Sequence, residues 1–451
     1  MVWDRKFALW VTTLALVLAT AQFGLFASAT PANTAPFFLP IDVHSDKSRD
    51  PSVAVDLAGA VHTGYVGYKS DFSDSSVYYG YCPTQCNDSV NWSAGRLWDL
   101  GFGGGAVLAL TPVGQPRMMW ATYDTLSAHT IYQYATCDLT CTVPSNWTVT
   151  NVISAYTGLP NTINYFALDG QGRPRFVYVD DTYPGHIGTF FRSCDSDCTN
   201  SGQWNEVRLP VGYTWLPSLA IGANGMPRIA YWSKSSNQVG YVECSAACNV
   251  PANWSGTMLY PVDPSSFGSF TLQVNHDGQP RLGVFDGKFL WYAWCNAACT
   301  SSQNWDRQGL GLPEGFGDSA TLALDSQDRP RFAYIIDYVS GRTFSGLGYG
   351  LCLADCESHA PSWQTTIIEA SNDLPPVGIQ PGCTTGVWFI RGSTSLALGV
   401  TGNPHFDYAA EHYQGGKVDN CPFTEDIYRV RFTEWGGNGL LHFAFFPLIG
   451  R

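Results

Sequence analysis

A motif that returns every 50–58 residues constrains this chain more than any other feature. Pro-Arg dipeptides stand at Pro116, Pro174, Pro227, Pro280 and Pro330, at spacings of 58, 53, 53 and 50 residues. Each sits in the same frame: an apolar strand, a short Gly-rich turn, Pro-Arg, then a second apolar strand. FALDGQGRPRFVYVD, LAIGANGMPRIAYW and LALDSQDRPRFAYIID are three examples. Degenerate copies bracket them, VAVDLAGAVHTGYVGY from Val53 and LALGVTGNPHFDYAA from Leu396, making seven units. A fixed period of this length marks units that cannot bury their apolar faces alone and must stack on one another.

The remainder of each unit is as regular. A third strand ends at a Cys (VYYGYC, VGYVEC), the linker carries a second Cys, and a Trp opens a fourth strand (NWSAGRLW, NWTVTNVI, QWNEVRLP, NWSGTMLY). Four short strands with period-2 patterning and Gly/Pro punctuation describe a propeller blade. The expected fold is therefore all-β, a seven-bladed β-propeller of four-stranded antiparallel blades over residues 30–435. Its inner strands are expected to start near residues 53, 107, 164, 218, 270, 321 and 395. The last unit supplies only three strands, near 395–400, 404–410 and 426–433, while PFFLPIDV at 36–43 stands unmatched before the first blade. Residues 36–43 are expected to be the outer strand of blade seven, which would tie the two chain ends together and remove the open seam.

Twelve of the 14 cysteines form six Cys-x-x-x-Cys pairs: Cys82/Cys86, Cys137/Cys141, Cys194/Cys198, Cys244/Cys248, Cys295/Cys299 and Cys352/Cys356. A disulfide needs its Cα atoms roughly 4.4–6.8 Å apart, whereas four extended residues span about 13 Å. The chain must turn between the two, which places each pair on the hairpin joining strands three and four. The same spacing suits zinc, but each pair brings only two ligands and no His recurs beside them, so structural disulfides are expected and no metal or cofactor. Cys383 and Cys421 remain, and their loops fall on one face, where a Cys383–Cys421 bridge would staple a rim.

Residues 1–29 have the pattern of a secretory leader. Arg5 and Lys6 precede an apolar run from Phe7 to about Leu18, and Ala27-Ser28-Ala29 fits a small-residue cleavage site. An uncleaved anchor extending through Phe26 is the alternative. Localisation is expected to be secreted, extracellular or periplasmic, with no membrane span in the mature chain, and the mature protein is expected to be a monomer. A formal net charge of −13 argues against a nucleic-acid partner, because phosphate binding needs clustered Lys and Arg. The apolar tail at 436–451, which includes LLHFAFFPLIG, either docks on the propeller or contacts a membrane or secretion machinery. Asn91, Asn146 and Asn253 sit in glycosylation triplets that would serve only in a eukaryotic source.

The hairpin segments CDSDCTNSGQW and CPTQCNDSVNW resemble the Asp-box (BNR) repeats of sialidase-like propellers, where a Ser-x-Asp-x-Gly-x-x-Trp turn joins strands three and four. They end in the same Trp, with a disulfide where the Asp-box hydrogen bonds would be. The resemblance covers residues 51–435 as blade architecture. In that family the repeat is a structural device on the face opposite the site, so it implies no activity.

Propeller ligands meet the face built from the loops between strands two and three and the loops joining blades. The recurrent Arg117, Arg175, Arg228, Arg281 and Arg331 fall on the other face, where strict repetition points to a per-blade structural role rather than an anion-binding ring. On the ligand face, Asp71, Asp74, Asp124, Asp180, Asp181, Asp286 and Asp337 follow strand two, several beside aromatics such as Tyr123, Tyr183, Phe285 and Tyr338. Carboxylates beside rings suit sugars, one accepting hydroxyl bonds and the other stacking on a pyranose face. The same aspartates equally serve to turn a loop. Blade seven is the irregular one, with a long preceding loop at 371–393 and a loop expected at 411–425 holding Glu411, His412 and Glu425. Long loops in compact domains are often functional, so a pocket is expected beside this rim. The candidate ligand-binding residues are Asp124, Asp180, Asp181, Asp286, Asp337, Glu411 and His412.

Three functions remain open: a secreted binding propeller for a glycan or a surface protein, a sialidase-like or other glycoside hydrolase, and a structural envelope protein. A sialidase-type site would require an arginine cluster, an acid Asp and a Tyr–Glu pair, and Arg342 and Arg391 are the better-placed of the arginines outside the Pro-Arg turns. An ordinary glycosidase needs two carboxylates at a set separation, which a sequence does not display. GxSxG, HExxH and a Gly-rich phosphate loop are all missing, so no catalytic residue is assigned and binding is the preferred reading.

Overall fold

The computed structural model describes residues 37, 41–44, 47–68, 75–101, 103–124, 126–127, 129–155, 164–181, 187–262, 269–286, 289–310, 316–336, 345–375, 377, 386–416 and 421–435. The expected leader (1–29), the tail (436–451), Asp71, Asp74, Asp337 and Cys383 lie outside these residues. Seven four-stranded antiparallel sheets form a ring, a seven-bladed β-propeller. The inner strands are Lys47–Val55, Gly103–Leu110, Phe166–Leu168, Trp215–Ile221, Ser269–Val274, Phe316–Leu324 and Gly386–Leu398. Five of them begin ahead of the expected positions because a bulge joins an extra segment to the apolar run. Pairing shifts at Arg49/Ser52, Gly104/Val107, Trp215/Ser218, Phe316/Ala320 and Ile390/Thr394. An extra residue in one strand bends it and re-aims the residues beyond, and the Pro or Gly at each shift (Pro51, Gly105, Pro217, Gly317, Gly392) disguises this extension as loop.

The inner hairpins close on a repeated turn. In blades one, three and six an aspartate Oδ1 accepts two backbone N–H groups: Asp56 from Ala58 and Ala60, Asp169 from Gln171 and Arg173, Asp325 from Gln327 and Arg329. The next-to-last turn residue has a left-handed backbone, which glycine adopts without cost. It is Gly59, Gly114, Gly172, Gly225, Gly278 and Gly402 with φ of 76–86°, and Asp328 at 60° in blade six. Hydroxyls four residues ahead of the turn lace neighbouring blades around the axis. Leu108 N–H donates to Ser52 Oγ (3.1 Å), Leu272 to Ser218 (2.9 Å), Leu322 to Thr271 (3.3 Å) and Val53 to Ser395 (3.0 Å).

All six Cys-x-x-x-Cys pairs are disulfides: Cys82–Cys86, Cys137–Cys141, Cys194–Cys198, Cys244–Cys248, Cys295–Cys299 and Cys352–Cys356, with Cα atoms 5.7–5.8 Å apart. The first cysteine of every pair is buried at the end of strand three. Of the second, Cys86 and Cys299 are buried, whereas Cys141, Cys198, Cys248 and Cys356 are half-buried in the turn. In five hairpins the Trp six residues after the second Cys donates its indole N–H to that Cys carbonyl (Cys86, Cys141, Cys198, Cys248 and Cys299), at 2.6–3.0 Å. In blade six the linker after Cys356 is one residue longer, and among the described residues the Trp363 indole finds no acceptor. The Cys356 carbonyl instead accepts from Gln308 Nε2 of the preceding blade at 2.9 Å.

The Pro-Arg arginines turn back onto the disulfide hairpin. Arg117, Arg175, Arg228 and Arg281 each donate from Nη1 to the carbonyl of their blade's first Cys, at 2.9, 2.5, 3.3 and 3.1 Å. Arg331 instead bonds the Tyr349 hydroxyl and Asp325. These guanidiniums are structural, satisfying carbonyls that water does not reach.

Blades stack by small-to-large contacts. In six blades the third residue after the strand-two start is small or apolar (Gly64, Met119, Val177, Ala230, Gly283, Ala333), and in six the second is larger (Met118, Phe176, Ile229, Leu282, Phe332, Phe406). A Cβ on Gly64 would lie 2.6 Å from Met118 Cε, and one on Gly283 would lie 2.5 Å from Phe332 Cε1. Phe176, Ile229, Leu282, Phe332 and Phe406 are completely buried at these contacts, each burial worth about 1.5–3 kcal/mol.

Blade seven is built from Gly386–Leu398, Pro404–Gly416 and Cys421–Glu434, with Ile41–His44 as its outer strand. Ile41 pairs with Phe432 and Asp42 with Arg431, and an isolated bridge links Phe37 to Trp435. Of the expected loop at 411–425, residues 411–416 and 421–425 are instead strand. Glu411 and His412 extend strand two, opposite Phe389 and Trp388, and both are buried. Their polarity and the glycines at 415–416 imitate a loop, yet alternate residues of this hairpin face inward. The proposed Cys383–Cys421 bridge lies outside the described side chains.

Candidate ligand-binding site

Blade seven's hairpin runs farther than the others, 13 residues in each of its first two strands. The extension carries the cross-strand pairs Val387/Tyr413, Trp388/His412 and Phe389/Glu411. Strand alternation sorts them by face. On one face the Trp388 ring lies 5.1 Å from that of His412. On the other, Tyr413 donates to Glu411 Oε2 at 2.9 Å, Arg391 pairs with Glu411, and the Arg391 guanidinium covers the Tyr413 ring at 4.7 Å. Gly386 closes the hairpin end, where a Cβ would sit 2.5 Å from His412 Nε2.

Beside this extension, on the connection from blade six, lies a cavity of about 290 Å³ lined by Asp42, Leu374, Pro375, Val377, Trp388, Arg429 and Arg431. Trp388 Nε1 donates to the Pro375 carbonyl at 3.0 Å and fixes the connection against the strand. Opposite, strand three projects Arg429 and Arg431, and the outer strand contributes Asp42. Arg431 is 4% exposed. Its Nε and Nη2 meet both oxygens of the buried Glu369 (2.8 and 2.5 Å), and Nη1 meets Asp42 at 2.6 Å. Tyr408 donates to Glu369 Oε2 at 2.5 Å. Burial opposes the Arg431 charge, but Tyr408, Glu369 and Asp42 around it raise its pKa above the ordinary arginine value. Burial, reinforced by Glu369, keeps the Tyr408 hydroxyl protonated well above its usual range. Arg429 Nε is 3.6 Å from Asp42 Oδ2. Two guanidiniums thus face two carboxylates, and the cavity is polar yet electrically balanced. Balanced charges held by paired hydrogen bonds avoid the penalty of an isolated buried ion.

The sequence candidates are not drawn together here. Asp124 accepts from Leu126 N–H (3.0 Å) and Ser127 Oγ (2.6 Å), bonds that also lower its pKa, and Asp286 accepts from Phe289 N–H (2.8 Å) and Trp291 Nε1 (2.6 Å). Both carboxylates are engaged within their own loops. Asp180 is buried at the end of its strand, and Asp181 is exposed with Tyr213 OH 3.5 Å away. Glu411 and His412 do not line the cavity; they lie on the strand between those of Trp388 and Arg429, with the His412 ring against Trp388. The cavity residues Asp42, Trp388, Arg429 and Arg431 were missed, although the two arginines in YRVRF alternate onto one face of a strand. Among the described residues no cluster of His, Cys, Asp and Glu could hold a metal ion, and no helix is long and apolar enough to cross a membrane.

No protein-family model matches this chain, and no curated protein does. Solved structures with similar architecture include a polysaccharide lyase of family PL25, an ulvan lyase, at 11% identity and TM-score 0.50, covering 84% of this chain and 96% of that one. The NanB sialidase of Streptococcus pneumoniae aligns at 10% identity and TM-score 0.46, over 89% of this chain and 70% of that one. An alpha-L-arabinanase of Penicillium chrysogenum, complexed with arabinobiose, aligns at 14% identity and TM-score 0.44, over 66% and 93%. At such identities the likeness is one of fold, and what the chain shares with the lyase is the β-propeller.

Proposed function

We propose that this is a secreted carbohydrate-binding propeller that holds an uncharged sugar residue in the cavity beside blade seven. The observation that carries this reading is the cavity's make-up. Guanidinium donors and a carboxylate acceptor stand across from Trp388, Leu374, Pro375 and Val377 in a space of about 290 Å³. A sugar presents the matching surface, hydroxyls around an apolar ring face. Charge balance decides the ligand class. Arg429 and Arg431 are offset by Asp42 and Glu369, so an anionic ligand would gain little net attraction, while hydroxyls can bond to either kind of group. The solved propellers include carbohydrate-active enzymes, but their likeness adds only the scaffold. Six disulfides fit an oxidising compartment, and the leader-like residues 1–29 supply the export route.

Hydrolysis is less well supported. The Tyr413–Glu411 pair has the residue types of a nucleophile pair, but both side chains are buried and Arg391 lies over them. The test is a glycan array probed with the mature chain 30–451 and with Arg429→Gln. Selective binding to neutral glycans, weakened at least about tenfold by Arg429→Gln but unchanged by Asp124→Asn, is the expected result. A blank array, or binding indifferent to Arg429, would overturn the proposal.

A further inference from the structure

At six of the seven contacts between blades, the third residue after the start of strand two is small or apolar and stands against the larger second residue after the start of strand two in the next blade. The seventh contact, where blade seven meets blade one, breaks this rule on both sides. Asp407 takes the place of Gly64, Met119, Val177, Ala230, Gly283 and Ala333, and Thr63 takes the place of Met118, Phe176, Ile229, Leu282, Phe332 and Phe406. Both residues are 0% exposed. Among the described residues neither Asp407 oxygen nor the Thr63 hydroxyl completes a hydrogen bond, although Thr63 faces the carboxyl closely enough to favour its charged form against the effect of burial. A carboxylate without partners in an apolar seam is far costlier than the neutral acid.

This is also the seam at which the ring is joined. The chain passes from Ile41–His44, the outer strand of blade seven, straight into Lys47–Val55, the inner strand of blade one. Val53, Val61, Cys82 and Cys86 of blade one pack with Phe432 of blade seven, the cross-strand partner of Asp407. We infer that the seam between blades seven and one is a protonation-dependent latch, closed while Asp407 carries its proton and loosened when it is ionised. Burial pushes the Asp407 carboxyl up to about 7. Since the folded value lies above the unfolded one, the stability held by the neutral acid is complete below about pH 4 and is lost as pH rises to about 7.

The charged and titratable groups on the elements around Asp407 are committed elsewhere. On its own strand and strand three, His405 pairs with Glu434 (3.1 Å) and Glu411 with Arg391. Arg431, also on strand three, is held by Glu369 and Asp42, and Arg429 lies beside Asp42. From blade one, Asp50 accepts from Ser393 Oγ (2.8 Å), His62 is held by Tyr79 and Asp56, and Tyr65 stacks on Tyr78. Opposite Asp407 within blade seven stand Ser395, which accepts from Val53, and the apolar Phe432. Among the described residues of these elements, no counter-ion is therefore directed at Asp407.

The test is hydrogen exchange of the mature oxidised protein between pH 5 and 9, with rates divided by the intrinsic exchange rate at each pH. Peptides covering 41–66 and 404–434 should open about a hundredfold more readily at pH 9 than at pH 5, levelling off above about pH 8, while blades three to five stay flat. Asp407→Asn, which keeps the shape, and Asp407→Ala, which copies blades four and six, should both remove the step. Because Ala already occupies this position in two blades, it serves if the amide variant does not fold. Seam peptides that exchange alike across the range, or a step that survives in either variant, would overturn the latch.

Discussion

Replacing Arg281 by methionine tests the claim that the repeated arginines are structural. Arg281 is 2% exposed and donates to the carbonyls of Pro280 and Cys295 at 3.1 Å each. Its Nη2 reaches Asn296 Oδ1 at 2.9 Å and, across the blade boundary, Glu357 Oε1 at 2.6 Å. Methionine preserves the apolar stem and deletes the guanidinium, so the loss isolates the hydrogen bonds. Each buried carbonyl left without a donor costs about 1–3 kcal/mol. Glu357 is one-third exposed and regains water, so little is charged to it. The expected destabilisation is about 3–5 kcal/mol, which for roughly 400 cooperatively unfolding residues lowers Tm by about 5 °C. Arg228 provides the comparison within the same molecule. Its bonds to the Pro227 and Cys244 carbonyls are longer, 3.4 and 3.3 Å, so Arg228→Met should cost about half as much. Thermal unfolding of both variants, with glycan binding measured alongside, is the assay. Losses below about 1 kcal/mol in both, or lost binding without lost stability, would refute the structural role and point back to a functional ring.

Trp204→Phe should cost about 1 kcal/mol more than Trp363→Phe by denaturant unfolding, because Trp204 Nε1 bonds Cys198 O at 3.0 Å whereas the Trp363 indole has no acceptor among the described residues. Burial works to raise the Asp169 pKa, but the Arg173 and Gln171 N–H groups and the arginines around it hold it below the usual carboxylate range. Stability from this group is therefore present above about pH 4 and falls away as pH drops through the lowered value, and Asp169→Asn should flatten that acid limb in melts between pH 2 and 6. Reducing the six disulfides should release about 2 kcal/mol per hairpin. Hydrogen exchange would then show faster opening at each strand three–four hairpin while the inner strands stay protected, and uniform global unfolding would contradict this. By the same proton linkage, Asp407→Asn should gain about 3–4 kcal/mol relative to the parent protein on going from pH 4 to pH 8, read as a difference in unfolding free energy.

Much of the scaffold is legible without coordinates because a blade is a local object. Strand alternation, the Asp, Asn or Thr that opens five of the inner hairpin turns, the left-handed glycine in six of them, and the five-residue disulfide ring act over a few residues. Their repetition leaves few ways to bury the apolar faces. The strand at the N-terminal end could be assigned to blade seven by counting, since that unit lacked an outer strand and Ile41–His44 had no other partner. The loop aspartates illustrate where such reasoning stops. Asp124 and Asp286 have the composition of a sugar site, but each is bonded to its own turn, and the choice between those uses depends on which N–H groups lie within about 3 Å.

Blade seven shows the same limit more sharply. Glu411 and His412 looked like loop residues because polar side chains near two glycines carry that signal whether or not a partner strand runs beside them. The extended Gly386–Ile390 segment supplies that partner and buries them. Arg431, Glu369 and Asp42 come from three strands far apart in the chain and form one ion-pair cluster. Asp407 sits in a readable strand two, but what it faces is set by the closing of the ring. The amino-acid sequence determined the blade, its seven-fold repetition and the disulfide clasps, since those interactions join near neighbours. Tertiary structure alone decided the cavity, the buried charges and the polar seam, since burial and charge pairing depend on which distant strands are brought together.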